Sequence, residues 1–238
     1  MKKICLLLCT LLILSLLFPG CRKTPNYSVY DGLPGREYFD YLLMEREKVK
    51  KLLNVTEETW DYLYNADGSP SDSIWPKEPT IINGDPWMLQ LRFYPDAIDR
   101  ELDSPHYLDF FIFHREVMSD DYVVKNQAIA DIYEFLKSQL GEPAEPYWPN
   151  DNRAAYLTIA EGLENGFSTE YYSDAWVLAE QIQPPKPFQM PKDEDVNLLL
   201  LLYLDVHCVP DRVEMKINYR VLDSRYSELA DYTQNRGW

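Results

Sequence analysis

The sequence predicts an α+β fold: a largely antiparallel sheet packed with two or three helices and ending in a C-terminal β-hairpin. Strand-like alternation comes in neighbouring pairs, at 87–94 with 107–113 and at 196–208 with 212–222. Helical spacing is confined to stretches outside those pairs, chiefly 37–53 and the run from Ser119 to Leu140. The regular βα alternation of a doubly wound sheet is missing, and so are three glycines at dinucleotide spacing. Grouped strands and grouped helices favour segregated layers over a parallel sheet.

Taken in order, residues 22–36 carry Pro25, Gly32, Pro34 and Gly35 and read as a tether. From Glu37 to Leu53, Phe39, Leu42, Leu43, Val49 and Leu53 recur at near-helical spacing with charges on other faces, which predicts an amphipathic helix. Asn54 ends it, and Thr56 is placed to cap a second short helix through Tyr64. The stretch 65–86 holds Gly68, Pro70, Pro76, Pro79 and Gly84 and predicts turns.

Trp87–Tyr94 sets Trp87, Leu89, Leu91 and Phe93 against Met88, Gln90, Arg92 and Tyr94, the alternation of a half-buried strand. Tyr107–Phe113 is more aromatic and predicts a central strand. Ser119 opens a long helix with Asp120 and Asp121 in its first turn, where acids suit the helix dipole. Its buried stripe is Ile129, Ile132, Leu136 and Leu140, and Gly141 stops it. Residues 142–152 form a proline-rich connection, the one place where a domain over 37–238 would subdivide. Residues 154–160 and 175–183 fit strand or helix.

The sharpest local expectation is the hairpin. Val196, Leu198, Leu200, Leu202, Leu204, Val206 and Cys208 share one face, as do Val213, Met215, Ile217, Tyr219 and Val221. Pro210-Asp211 suits a turn pairing Val209 with Arg212. That register puts Asp205 opposite Lys216 and His207 opposite Glu214, compatible partners for an outward face.

Composition narrows function. The chain has 39 acidic and 23 basic residues, for a net charge of −16. Such a surface repels nucleic acid, so no nucleic-acid partner is expected, whereas a cationic protein partner suits it. With three histidines in all, His106 and His114 flank one predicted strand eight residues apart. At about 3.3 Å per residue they lie too far apart to share a metal. The sequence holds no HExxH or CxxC, so no metal and no cofactor is expected. His207-Cys208 resembles a nucleophilic pair only on paper, because adjacent strand residues point to opposite faces. No GxSxG or SxxK supplies a serine nucleophile. Asn65, Asp67 and Asp72 around Gly68 lack calcium-loop spacing and read as a capped turn. Tyr147-Trp148-Pro149 and Trp75-Pro76 place rings in loops, where clamping the loop to its own domain is the expected role. Catalytic residues are accordingly expected to be none.

The first residues read MKKICLLLCTLLILSLLFPGC: Lys2 and Lys3, an uncharged run from Ile4 to Phe18, then Gly20-Cys21. A basic start and an apolar core of this length make a secretory signal, too short for a comfortable membrane span. Gly20-Cys21 closing the run resembles the lipobox of bacterial lipoproteins, over these twenty-one residues only. The resemblance implies a signal peptide over 1–20, removed by signal peptidase II, and a diacylglyceryl group on the Cys21 thiol. It implies a membrane partner through that anchor and a place in the cell envelope outside the cytoplasm, with Arg22 and Lys23 beside the head groups. Removing the first twenty of 238 residues leaves 218, and losing two lysines takes the charge to −18. Cys5 and Cys9 leave with the signal, so Cys208 is a lone thiol and packing must carry stability.

These readings favour a lipid-anchored, non-enzymatic binding protein, in its concrete form an immunity-type inhibitor of a cationic secreted toxin. Its partner-binding residues are expected in the acidic loops at Asp99, Glu101 and Asp103 and at Asp193, Glu194 and Asp195. Alternatives are an envelope polysaccharide or peptidoglycan hydrolase using an Asp/Glu pair, and a structural subunit of an envelope assembly.

Overall fold

The computed structural model describes residues 27–66, 68–69, 71–95, 106–144, 157–168, 171–179 and 198–223. Its strands are β1 (Trp60–Asp61), β2 (Ser73–Pro76), β3 (Thr80–Ile82), β4 (Asp85–Pro95), β5 (His106–Met118), β6 (Tyr171–Ala179), β7 (Leu198–Val209) and β8 (Arg212–Asp223). They form one sheet in the order β1-β2-β4-β5-β8-β7-β6, with β3 also pairing β4. Every pairing of these strands is antiparallel. Among the described residues three α-helices accompany it, α1 (Arg46–Leu52), α2 (Tyr122–Leu140) and α3 (Ile159–Asn165), with 3-10 turns at Tyr27–Tyr30 and Arg36–Tyr41. The fold is α+β with a C-terminal hairpin, as the sequence predicts.

The hairpin carries the expected register. Val209 pairs with Arg212 around Pro210-Asp211, Asp205 with Lys216 and His207 with Glu214. Leu200, Leu202, Leu204, Val206, Val213, Met215, Ile217 and Tyr219 are all 0% exposed. Alternation is therefore written directly into burial, and β5 lies at the centre between β4 and β8.

One face of the sheet holds the core. Leu89, Leu91 and Phe93 of β4, Phe111 and Phe113 of β5 and the hairpin's apolar rows meet Ile129, Ile132, Tyr133 and Leu136 of α2 there. Asp121 caps α2, accepting from Val123 N at 2.8 Å, and Ser119 Oγ accepts from Asp121 N at 3.0 Å. Gly141 ends the helix at φ 80°. The N-terminal turns cover the β5 and β8 end of the core. Phe39 meets Phe111 and Tyr219 at 6.2 and 5.3 Å between ring centroids, and Phe111 stacks on Tyr219 at 4.7 Å. Gly35 makes this approach possible. It sits at φ +77°, and a Cβ there would come within 2.6 Å of Phe113 and 2.7 Å of Phe111.

Tertiary pairing overrides the local expectation at three places. The helix expected over 37–53 is broken in two: Leu43 N donates to Leu108 O, Leu108 N donates to Met44 O, and Leu43 takes φ 61°. These bonds to β5 use the backbone groups a continuous helix would have needed. The helix expected from Thr56 to Tyr64 is one turn, in which Thr56 O accepts from Thr59 N and Trp60 N. Trp60 then enters β1 against Pro76. The turn-rich stretch 65–86 also contains β2 and β3, whose short pairings onto β4 carry little alternation. Of the two ambiguous stretches, 175–179 belongs to strand β6, and Ile159 opens a helix behind a Thr158–Glu161 capping box.

Candidate functional site

The face of the sheet opposite the core carries the polar positions of the same strands, in rows set by register. One row runs Tyr171, His207, Glu214, Glu116 across β6, β7, β8 and β5. The next runs Ser173, Asp205, Lys216, His114 and, on β4, Met88. Beyond lie Tyr203, Asn218, Ile112 and Gln90, then Leu201, Arg220, Phe110 and Arg92.

Local chemistry is paired within these rows. Tyr171 stacks on His207 at 4.1 Å, and Ser173 Oγ donates to Asp205 Oδ1 at 2.7 Å. Phe110 lies between two guanidinium groups, Arg92 at 5.4 Å and Arg220 at 5.5 Å. Arg220 also approaches Asp109 at 3.7 Å. Burial pushes the Asp109 carboxyl upward against the pull of Arg220 and Arg92. It does the same to Asp205 against Ser173 and Lys216. Positive and negative groups balance across this face, so its chemistry is local recognition and not a uniform field.

Balance fails at one end. Glu116 and Glu214 face each other directly, an unfavourable pairing of like charges. Arg212 answers Glu214 at 2.9 Å. Glu116 Oε1 stands 3.8 Å from His114 Nε2, which is buried with no hydrogen-bond partner among the described residues, and Glu116 also shares the field of Arg212. Burial, and then the Lys216 ammonium, hold that imidazole below its usual range against the pull of Glu116 and Glu214. It is therefore neutral at pH 7, and Glu116 shares Arg212 with Glu214 without a direct Lys or Arg ion pair of its own among the described residues. Beside Glu116 opens a groove of about 550 Å³ lined by Pro79, Pro86, Met88 and His114–Met118. Arg115 reaches back to Asp85 through two bonds, at 2.6 and 2.7 Å.

The surface of α2 and α3 differs in sign. Asp120, Asp121, Asp131, Glu134, Glu142, Glu161 and Glu164, on and beside these helices, are all exposed. Of the two lysines on α2 and α3, Lys125 is buried with Nζ donating to Val209 O and Pro210 O, and Lys137 pairs with Glu142 at 3.0 Å.

Two buried groups lie on the core side. Asp174 accepts from Ile159 N at 3.2 Å and from the Tyr133 hydroxyl. Burial pushes its carboxyl up to about 6, although the Ile159 amide and Tyr133 pull it down. Cys208 faces the core while His207 faces out, so the two side chains are separated by the strand. Burial pushes the Cys208 thiol up to about 11, with Lys125 opposing, and leaves it protonated and unreactive at neutral pH.

Cys21, Asp99, Glu101, Asp103, Asp193, Glu194 and Asp195 lie outside the described residues, as do the signal segment 1–20, Asp67 and Tyr147-Trp148-Pro149. Trp75 belongs to β2 and meets Tyr62 at 6.1 Å between centroids. Asn65 closes a turn with Ser69, through Asn65 Nδ2 to Ser69 Oγ at 3.0 Å. The groove beside Glu116 carries no sequence motif. Its one sequence signal is Asp85-Pro86, a proline near the start of a long strand.

No protein-family model matches the chain, and neither a curated protein nor a solved structure is detectably similar to it.

Proposed function

We propose that this protein is a lipid-anchored binding protein of the bacterial cell envelope, held to its membrane through Cys21 and taking a cationic protein as partner. Its concrete form is immunity-type sequestration of a basic secreted toxin. The observation that carries the reading is the charge, −16 over the chain. The exposed carboxylates on and beside α2 and α3 supply a field that attracts a basic partner and accelerates encounter at low salt. The basic, apolar and Gly20-Cys21 order of the first twenty-one residues supports the anchor. Two or more acyl chains give stable membrane attachment without a spanning helix.

Two measurements test this. Cells fed labelled palmitate should yield a labelled chain that partitions with membranes, and Cys21→Ala should abolish both label and partitioning. Full chain in detergent, exposed to envelope and culture fractions, should retain a basic protein at low salt and release it as salt rises. A labelled chain that retains only neutral or acidic proteins, or that degrades cell-wall fragments, would overturn the cationic-partner reading.

A further inference from the structure

The ladder between β4 and β5 ends at Met88 and His114, yet β5 runs on to Met118. Over those last residues β5 is still held on its other side by β8, down to Met118 against Arg212. The pleat fixes which backbone groups face the gap. Val209 and Arg212 close a two-residue turn and form a hydrogen-bonded pair, so even-numbered β8 residues bond β7 and odd-numbered ones bond β5. Ser119 N donating to Asp211 O continues that parity. The N–H and C=O of Glu116 and Met118 therefore point away from β8, into the groove. The strand that would meet them stops pairing after Met88: Asp85 and Trp87 bond β3 on the other edge of β4, and Pro86, whose backbone faces the groove, has no N–H to give.

The groove thus combines a short open strand edge with an apolar wall of Pro79, Pro86, Met88 and Val117. Among its lining residues Glu116 is the acid and is exposed, whereas Arg115 is committed to Asp85. Open backbone slots suit an extended segment, apolar walls suit alternate side chains, and an exposed carboxylate with no direct Lys or Arg ion pair among the described residues suits a cation. We infer that this groove is a strand-addition site for an extended segment of a partner protein in which apolar and basic residues alternate. This rests on the proposed cationic partner and names how it is gripped.

The test uses the full chain in detergent and three blocked hexapeptides: alternating valine and lysine, the same with glutamate for lysine, and the lysine peptide with a central proline. Hydrogen exchange at the Glu116 and Met118 amides should slow with the first peptide and not with the other two. Glu116→Lys should weaken binding of the lysine peptide by about tenfold, whereas Asp131→Lys, the same charge change on the helical side, should alter it less than about twofold. Met88→Lys, which places a cation on the apolar wall, should weaken it as well. Far-ultraviolet circular dichroism would verify that each variant is folded.

Equal losses from Glu116→Lys and Asp131→Lys would reduce the effect to diffuse charge and overturn the site. Binding without protection of those two amides would do the same. Protection that grows with protein concentration in the absence of peptide would give the edge to a second copy of this chain, again against the inference. A basic envelope protein retained with undiminished affinity by Glu116→Lys would sink the groove and leave the cationic-partner reading standing. Correct peptide seating alongside an empty fractionation would do the reverse.

Discussion

The two faces of the sheet are built from the same strands and obey different rules. On the core face nearly every position is closed off and apolar, and burial dominates its chemistry. On the outward face neighbours across strands are matched one by one, Asp205 with Lys216 and His207 with Glu214. Burial of a Leu or Phe side chain contributes about 1.5–3 kcal/mol. An outward ion pair contributes roughly 0–1 kcal/mol. Stability therefore resides on one face, leaving the other free to hold an unfavourable arrangement such as Glu116 opposite Glu214. Recognition can be placed there at small cost to the fold.

The sharpest way to break this contrast is to empty the core face. Phe111→Ala removes the ring stacked on Tyr219 and should cost about 3–5 kcal/mol in urea unfolding. A loss below 1 kcal/mol would mean the aromatic cluster is not the core. Gly35→Ala should come next, at about 2–3 kcal/mol. The left-handed backbone costs roughly 1–2 kcal/mol for a residue with Cβ, and the Phe111 and Phe113 rings must then move as well. Calorimetry showing an unchanged melting temperature would refute the close approach.

Asp174 sharpens the comparison, as a carboxyl placed on the apolar side. Its folded value, raised to about 6, lies above the ordinary value of 3.8, so the folded state holds the proton more tightly. Its contribution is complete below about pH 4 and is lost as pH rises toward 6, with an upper bound of about 3 kcal/mol. Asp174→Asn should flatten that part of the stability profile, read as urea midpoints at steps of pH. An unchanged slope between pH 4 and 6 would assign the dependence elsewhere. The smallest effect belongs to the outward face. Glu214→Gln loses the Arg212 pair and relieves Glu116, so stability should shift by less than about 0.5 kcal/mol. A loss above 2 kcal/mol there would erase the distinction between the faces.

Legibility in the sequence follows the same division. The hairpin can be read to the residue because its two strands are adjacent in the chain and every second side chain reports the core. Strands β4 and β5 are legible for the same reason, although their ends extend past the alternating stretch. What escapes is whatever a distant partner decides. Leu43 and Met44 sit in a helical pattern and are claimed by Leu108. β2 and β3 are too short to show a period. The groove escapes most completely, because it exists only where the β4–β5 ladder stops at Met88 while β5 runs on, and no spacing within either strand encodes that stop. The acidic loops singled out by composition lie outside the described residues, so the structure neither gathers nor separates them.

The position of β8 has a consequence for how the chain acquires its shape. β5, at 106–118, finds its second neighbour about a hundred residues later, at 212–223. β7 and β8 meet across two residues and can zip early, whereas joining that hairpin to β5 must close a long loop and is slow. Any process that delivers this chain from its N-terminus therefore releases the helices and β4–β5 well before the strand that completes their sheet. The core stays open, and the chain stays threadable, until residues past 212 arrive. A stop codon between β5 and β8 would leave a central strand with a bare edge, which is a template for aggregation.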